Sequence, residues 1–184
     1  MDDLAIIEST RQWIANVVIG LNLCPFAQRV FAAEKIRYVV SPATNETGLL
    51  GDLKRELKYL AATSSESVET TLLIHPHVLD NFLDFNNFLE LAEALIESLD
   101  LEGAIQLASF HPRYQFAESS PEDVENFTNR SPYPMLHLLR EASITAVADD
   151  PESLNDIPVR NIEILRRLGK DGIDDLLRGI KPRP

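Results

Sequence analysis

TTLLIHPHVLDNFLDFNNFLELAEALIESLDLEGAIQLASFHPRY, running from Thr70 to Tyr114, is the stretch on which the fold turns. Thr70–Ile74 is a short apolar, partly β-branched run, the composition of a buried strand. Asp80 offers a helix cap. Beyond it Leu83, Phe85, Phe88, Leu89, Ala92, Leu95, Ile96 and Leu99 recur at helical spacing. Gly103 resets the chain, and Ala104–Phe110 is β-favouring again.

Working outward, Ile36–Val40 is a third β-favouring run that ends in Ser41-Pro42, and Leu49, Leu50, Leu53, Leu57 and Leu60 form one helical stripe between it and Thr70. The order strand, helix, strand, helix, strand predicts strands at about 36–41, 70–75 and 104–110. Crossovers of this length predict parallel pairing. The fold expected is therefore α/β: a small three- or four-stranded, mostly parallel sheet flanked by helices. Residues 4–20 read as an amphipathic first helix, and Pro25 as the first turn of a short second one.

The C-terminal part reads as helical. Ser131-Pro132 has the grammar of a helix start, and Met135, Leu138, Leu139, Ala142 and Ala146 would face inward from a helix over 132–148. Ile144–Val147 as a fourth strand is the alternative. Further helices are expected over 158–168, ending at Gly169, and over 172–178. One domain spanning 1–184 fits the length.

The 184 residues include 17 Lys and Arg against 29 Asp and Glu, a net charge of −12. Such a field repels polyanions, which argues against nucleic acid or anionic membranes as partners. The stretch from Arg160 to Arg183 is nevertheless basic, and is expected to dock on the acidic body. With Cys24 the single cysteine, no internal disulfide can form. The first residues lack a signal-peptide pattern and no apolar run is long enough to cross a membrane, so a cytoplasmic protein is expected.

Chemistry is expected at one rim of the sheet, where parallel strands end together. His75 and His77 follow the second strand and His111 the third. Two readings stay open for them. One is a metal site, completed by Cys24, His137 or Asp80; the other is hydrogen bonding to loop carbonyls. Cys24, ahead of Pro25, reads as a helix cap whose neighbouring amides would favour a thiolate nucleophile, with a histidine to take its proton. Arg113 and Arg130, with the amides at the start of the Ser131 helix, read as an anion pocket. Asn129 and Ser131 belong to its wall, while Tyr114 and Tyr133 line a substrate or supply a proton. His137, within the same helix, faces either that pocket or Glu141.

The motifs N-L-C-P-F-A at Asn22–Ala27, F-H-P-R-Y-x-F at Phe110–Phe116 and T-N-R-S-P-Y-P-M-L-H-L-L-R-E at Thr128–Glu141, with P-x-R-N-I inside Ile157–Gly169, resemble the bacterial family catalogued as domain of unknown function 1415. The likeness covers nearly the whole chain. It implies signature positions at Cys24, His111, Arg113, Asn129, Arg130 and His137, and no activity.

These residues support several functions. The first is a hydrolase or transferase for a small anionic substrate held by Arg113 and Arg130, with His111 as acid or base. The others are a non-catalytic binder of a small anion or metabolite, a His/Cys metal-dependent hydrolase, and an interaction module built on the basic C-terminal helices. No phosphate loop or dinucleotide fingerprint is present, and no cofactor is assigned.

Overall fold

A computed structural model describes residues 2–147, 151–178 and 180. Three strands form where the β-favouring runs lie: β1 (Ile36–Val40), β2 (Thr70–Ile74) and β3 (Ile105–Phe110). A fourth, β4 (Met135–Arg140), occupies the slot between β2 and β3, so the order is β1-β2-β4-β3. Only β1 and β2 pair in parallel; β4 is antiparallel to both its neighbours, with Leu72, His137 and Ala108 side by side across the three strands. The sheet is thus mixed, not mostly parallel.

The helix expected over 132–148 is the source of that difference. Its inward set, Met135, Leu138 and Leu139, also suits a strand buried on both faces, which reads as a continuous apolar run instead of an alternating one. Pro132 and Pro134 decide the matter locally, because each disfavours helical geometry in the residue before it. Tertiary context supplies the rest, since β4 satisfies backbone groups on β2 and β3 at once. Helix begins only at Glu141, as α5 (Glu141–Val147), and there the alternative strand at 144–147 is also replaced. Residue 148 lies outside the described residues.

One face of the sheet is closed by two long helices, α3 (Glu46–Ala62) and α4 (Phe82–Ser98). Asn45 caps the first, and Asn81, one residue beyond the expected Asp80, caps the second. Leu49, Leu53, Leu57, Leu60, Phe85, Phe88 and Ala92 pack there against Leu73, Leu136 and Leu138, all essentially without exposure. Each buried leucine or phenylalanine there contributes about 2 kcal/mol.

The opposite face is covered less completely. The expected helix over 4–20 is α1 (Asp3–Trp13), which widens into a π-helical turn at Ile14–Ile19. Asn22, at φ 52°, turns the chain back, and α2 (Ala27–Ala32) is one short helix starting two residues after Pro25. Ile6, Trp13, Ile14, Val17 and Leu23 pack on Leu72, Ile74 and Met135. The two expected helices, 158–168 and 172–178, lie on either side of a break at Gly169, where φ is 69°; together they are labelled α6 (Pro151–Arg178), and the first starts before Pro158.

The basic stretch docks on its own body. Arg160 and Asn161 bond the carbonyls of Asn22 and Leu23, both at 2.8 Å, and Arg166 pairs with Glu125 at 3.2 Å. Lys181 and Arg183 lie outside the described residues.

Candidate functional site

His75 and His111 do reach one rim, as expected from the parallel relation of β2 and β3, and both stack against Phe85 at 5.7 and 5.1 Å between ring centroids. Their nitrogens face the protein. His75 Nδ1–H donates to the carbonyl of Val78 at 3.0 Å, and burial pushes its pKa down to about 4. His111 Nε2–H donates to the carbonyl of Leu79 at 3.1 Å, and its Nδ1 accepts the Arg113 amide at 2.9 Å. Both bonds pin the loop through Leu79, whose φ is 61°. His77 is exposed. Among the described residues no group of three or more His, Cys, Asp or Glu could hold a metal ion.

The arginines are engaged as well. Arg113 bonds the Asp80 carboxylate at 2.7 Å, with both side chains largely in solvent, and also donates to the Asp80 carbonyl. Arg130 donates to the carbonyls of Tyr114 (3.1 Å) and Pro121 (2.6 Å), and its guanidinium lies over Phe127 at 4.5 Å. Asn129 donates to the carbonyl of Ser109, Ser131 donates to that of Tyr133, and buried Asn126 ties Phe116, Ser119 and Ser120 together. Tyr114 packs on Phe82 and Phe116, and Tyr133 is core. No helix starts at Ser131, so the amides expected to complete an anion pocket there are absent as a helix terminus. The polar grammar of 110–134 builds a long loop that is bound to itself.

The concave site lies on the other face of the sheet. A cavity of about 300 Å³ opens between the sheet and the incomplete cover of α1, the π turn and α2. Trp13, Ile14 and Val18 form one wall, Cys24, Phe26, Ala27 and Val30 a second, and Leu72, Ala108, Phe110, His137 and Leu139 the floor. Alternation along β4 explains the floor: Leu136 and Leu138 face α3 and α4, so Met135, His137 and Leu139 must face the other way. Small Ala108, beside His137, leaves the space open.

Two of the expected catalytic residues, Cys24 and His137, therefore share this cavity, while His111 and Tyr114 do not. Burial raises the Cys24 pKa above its ordinary value and outweighs the nearby Phe26 and Ala27 amides and the Arg160 charge, which favour thiolate. Cys24 is not the expected helix cap: α2 starts at Ala27 with Phe26 at its N-cap, and the Ala27 amide donates to the Cys24 carbonyl at 3.2 Å. His137 Nε2 lies 2.7 Å from Thr70 Oγ1, whose own proton is committed to the Leu138 carbonyl at 2.6 Å. Nε2 is therefore the protonated nitrogen and Nδ1 carries a lone pair. Burial holds the His137 pKa near 4, so the ring is neutral at neutral pH.

Trp13, Thr70, Arg160 and Asn161 are the site's contributors that were not singled out in the sequence. Trp13 carried a signal, because a buried indole N–H needs a partner, and here that N–H has none.

No curated protein and no solved structure matches the chain. A family model described as protein of unknown function (DUF1415) matches residues 5–175, and the chain belongs to that family.

Proposed function

We propose that this chain binds a small, predominantly apolar molecule in the cavity beneath α1 and α2. The observation that carries the reading is the cavity itself: about 300 Å³ of apolar space beside the core. Its walls are almost wholly apolar, so water standing there finds few partners and an apolar occupant displaces it favourably. Engineered apolar cavities of about 150 Å³ take up benzene, so an occupant of about twelve heavy atoms fits.

Trp13 is the protein's one tryptophan and lines the cavity. Titration with butylbenzene should therefore change its fluorescence saturably and raise the thermal midpoint. A flat titration with an unmoved midpoint rejects the reading.

A second reading, hydrolysis or group transfer through Cys24, is favoured by one observation, its shared cavity with His137, while burial works against it by raising the thiol's pKa and holding that of the imidazole near 4. Single-turnover acyl transfer from a phenyl ester to Cys24, absent in Cys24→Ser, is its test. The anionic-substrate reading rests on Arg113 and Arg130 and draws no support from guanidiniums already bound to the protein's own acceptors.

A further inference from the structure

Three charged residues belong to the lining of the apolar cavity: Arg29, Glu69 and Arg140. Arg140 is committed to the protein, donating to the carbonyls of Leu60, Thr63 and Val68 at 2.8, 2.6 and 3.1 Å. Arg29, on α2, is not: it is exposed, and among the described residues its guanidinium has no hydrogen bond, ion pair or aromatic face to meet. A residue that both lines the cavity and is exposed stands at its mouth. The lining is almost wholly apolar, so Arg29 contributes its stem there and keeps its charge in water.

The cover to which Arg29 belongs carries no opposing charge. The chain has 29 Asp and Glu, yet the 25 residues from Ser9 to Ala33 include Arg11 and Arg29 and no acid. Arg160 adds a positive charge close enough to act on Cys24 in the same wall. Glu69, half-buried just before β2, is the single acid of the lining. At physiological salt, exposed charges more than about 8 Å apart are largely screened, so this local balance outweighs the net −12 of the whole chain.

We infer that the natural occupant is a medium-chain anionic amphiphile, its chain in the cavity and its carboxylate at the mouth on Arg29. This rests on the cavity reading above and adds the chemistry of the occupant's polar end. The head stays outside because a carboxylate taken into an apolar cavity without a partner is strongly disfavoured. At the mouth, water completes its shell, and the planar guanidinium offers a two-pronged, charge-assisted pair. Octanoate, at about ten heavy atoms, is within the size the cavity accepts.

Calorimetric titration of the full chain at neutral pH with octanoate, octanol and octylamine reads the head group at constant chain length. Wild-type protein should bind octanoate about threefold more tightly than octanol, the scale of a solvent-exposed ion pair, and octylamine least. In Arg29→Gln the octanoate preference should disappear, in Arg29→Glu it should reverse in favour of octylamine, and Arg29→Lys should keep most of it. Comparing ligands within each variant cancels any change in the packing of the arginine stem, and an unmoved thermal midpoint checks that each variant is folded. Three results overturn the carboxylate inference and leave the cavity reading to butylbenzene: octanoate that binds no better than octanol, a wild-type preference for octylamine, which would put the head on Glu69, or an octanoate preference that survives in Arg29→Glu. If none of these ligands binds and butylbenzene does not either, both readings fall together.

Discussion

His137, in the middle of the sheet, is oriented by Thr70 on the neighbouring strand: Nε2 and Oγ1 are 2.7 Å apart, and the threonine hydroxyl donates a hydrogen bond to the Leu138 carbonyl at 2.6 Å. This short chain fixes Nε2 as the protonated ring nitrogen and leaves Nδ1 as the acceptor. It also couples the chemistry of the cavity floor to the pairing of β2 with β4.

Replacing Thr70 with valine tests that coupling. The substitution preserves shape but leaves the imidazole N–H without its acceptor and the Leu138 carbonyl without its hydroxyl donor. The expected cost is about 1–3 kcal/mol. It should appear in urea unfolding as a lower midpoint at unchanged slope. In nitrogen NMR, the ring should lose its single Nε2–H tautomer. An unchanged tautomer and midpoint would mean the threonine is a bystander.

Acid should unfold this protein through its histidines. His75 and His137 both have pKa values near 4 because burial disfavours the charged ring, against an ordinary 6.5. The unfolded chain therefore binds more protons than the folded one between about pH 6.5 and 4. Stability is fully present above the upper limit and falls as pH drops through that window. Each histidine accounts for about 3 kcal/mol across the window. His111, lowered by burial in the same direction, adds to this slope, and His137→Phe should remove a clear part of it, measured as unfolding free energy against pH. A slope identical to wild type would show that His137 does not titrate with unfolding.

Much of this architecture is legible from residue patterns, and its gaps have physical causes. Leu49–Leu60 and Phe85–Ile96 read correctly as helices because each has one apolar stripe and one solvated face. Met135–Arg140 does not, because a strand buried on both sides loses the alternation that identifies strands. That one element changes the sheet from parallel to mixed. It also turns His137 from a helix residue near Arg130 into the floor of a cavity on the opposite face from α3 and α4. The placement of His75 and His111 on one rim followed from β2 and β3 running the same way. Their occupation by the Val78 and Leu79 carbonyls depends on loop conformation, which apolar spacing does not encode. The meeting of Asn161 with Leu23, 138 residues apart, is equally invisible in spacing.

Gly20 closes the π-helical turn that sets Trp13, Ile14 and Val18 against the cavity. A Cβ there would collide with the Asn16 carbonyl oxygen, a backbone atom that cannot swing aside as a side chain can. Gly20→Ala should therefore destabilise the fold, in a helical conformation where alanine otherwise stabilises by about 1 kcal/mol. The expected loss is about 1–3 kcal/mol, with a changed Trp13 emission as the turn shifts. A gain in stability would show that the turn relaxes freely and that its wide geometry is not imposed by this contact.

Cys24 reports on how firmly α6 holds the cavity wall. Burial raises its pKa, so alkylation by iodoacetamide at neutral pH should be at least about tenfold slower than for a free thiol, and should rise steeply only in alkali. The loop that carries it is anchored through Asn161 Nδ2–H on the Leu23 carbonyl, at 2.8 Å and out of solvent. Asn161→Ala leaves that carbonyl unpaired, with an expected cost of about 1–3 kcal/mol. It should also free the Asn22–Ala27 loop to open, raising the alkylation rate at conditions where the rest of the protein stays folded. Local opening and global unfolding separate in this experiment, because the first accelerates alkylation without changing the far-ultraviolet circular dichroism. A variant that loses stability but keeps the slow wild-type alkylation would place the shield over Cys24 in α1 and α2 alone, and show that α6 does not hold the Cys24 loop closed.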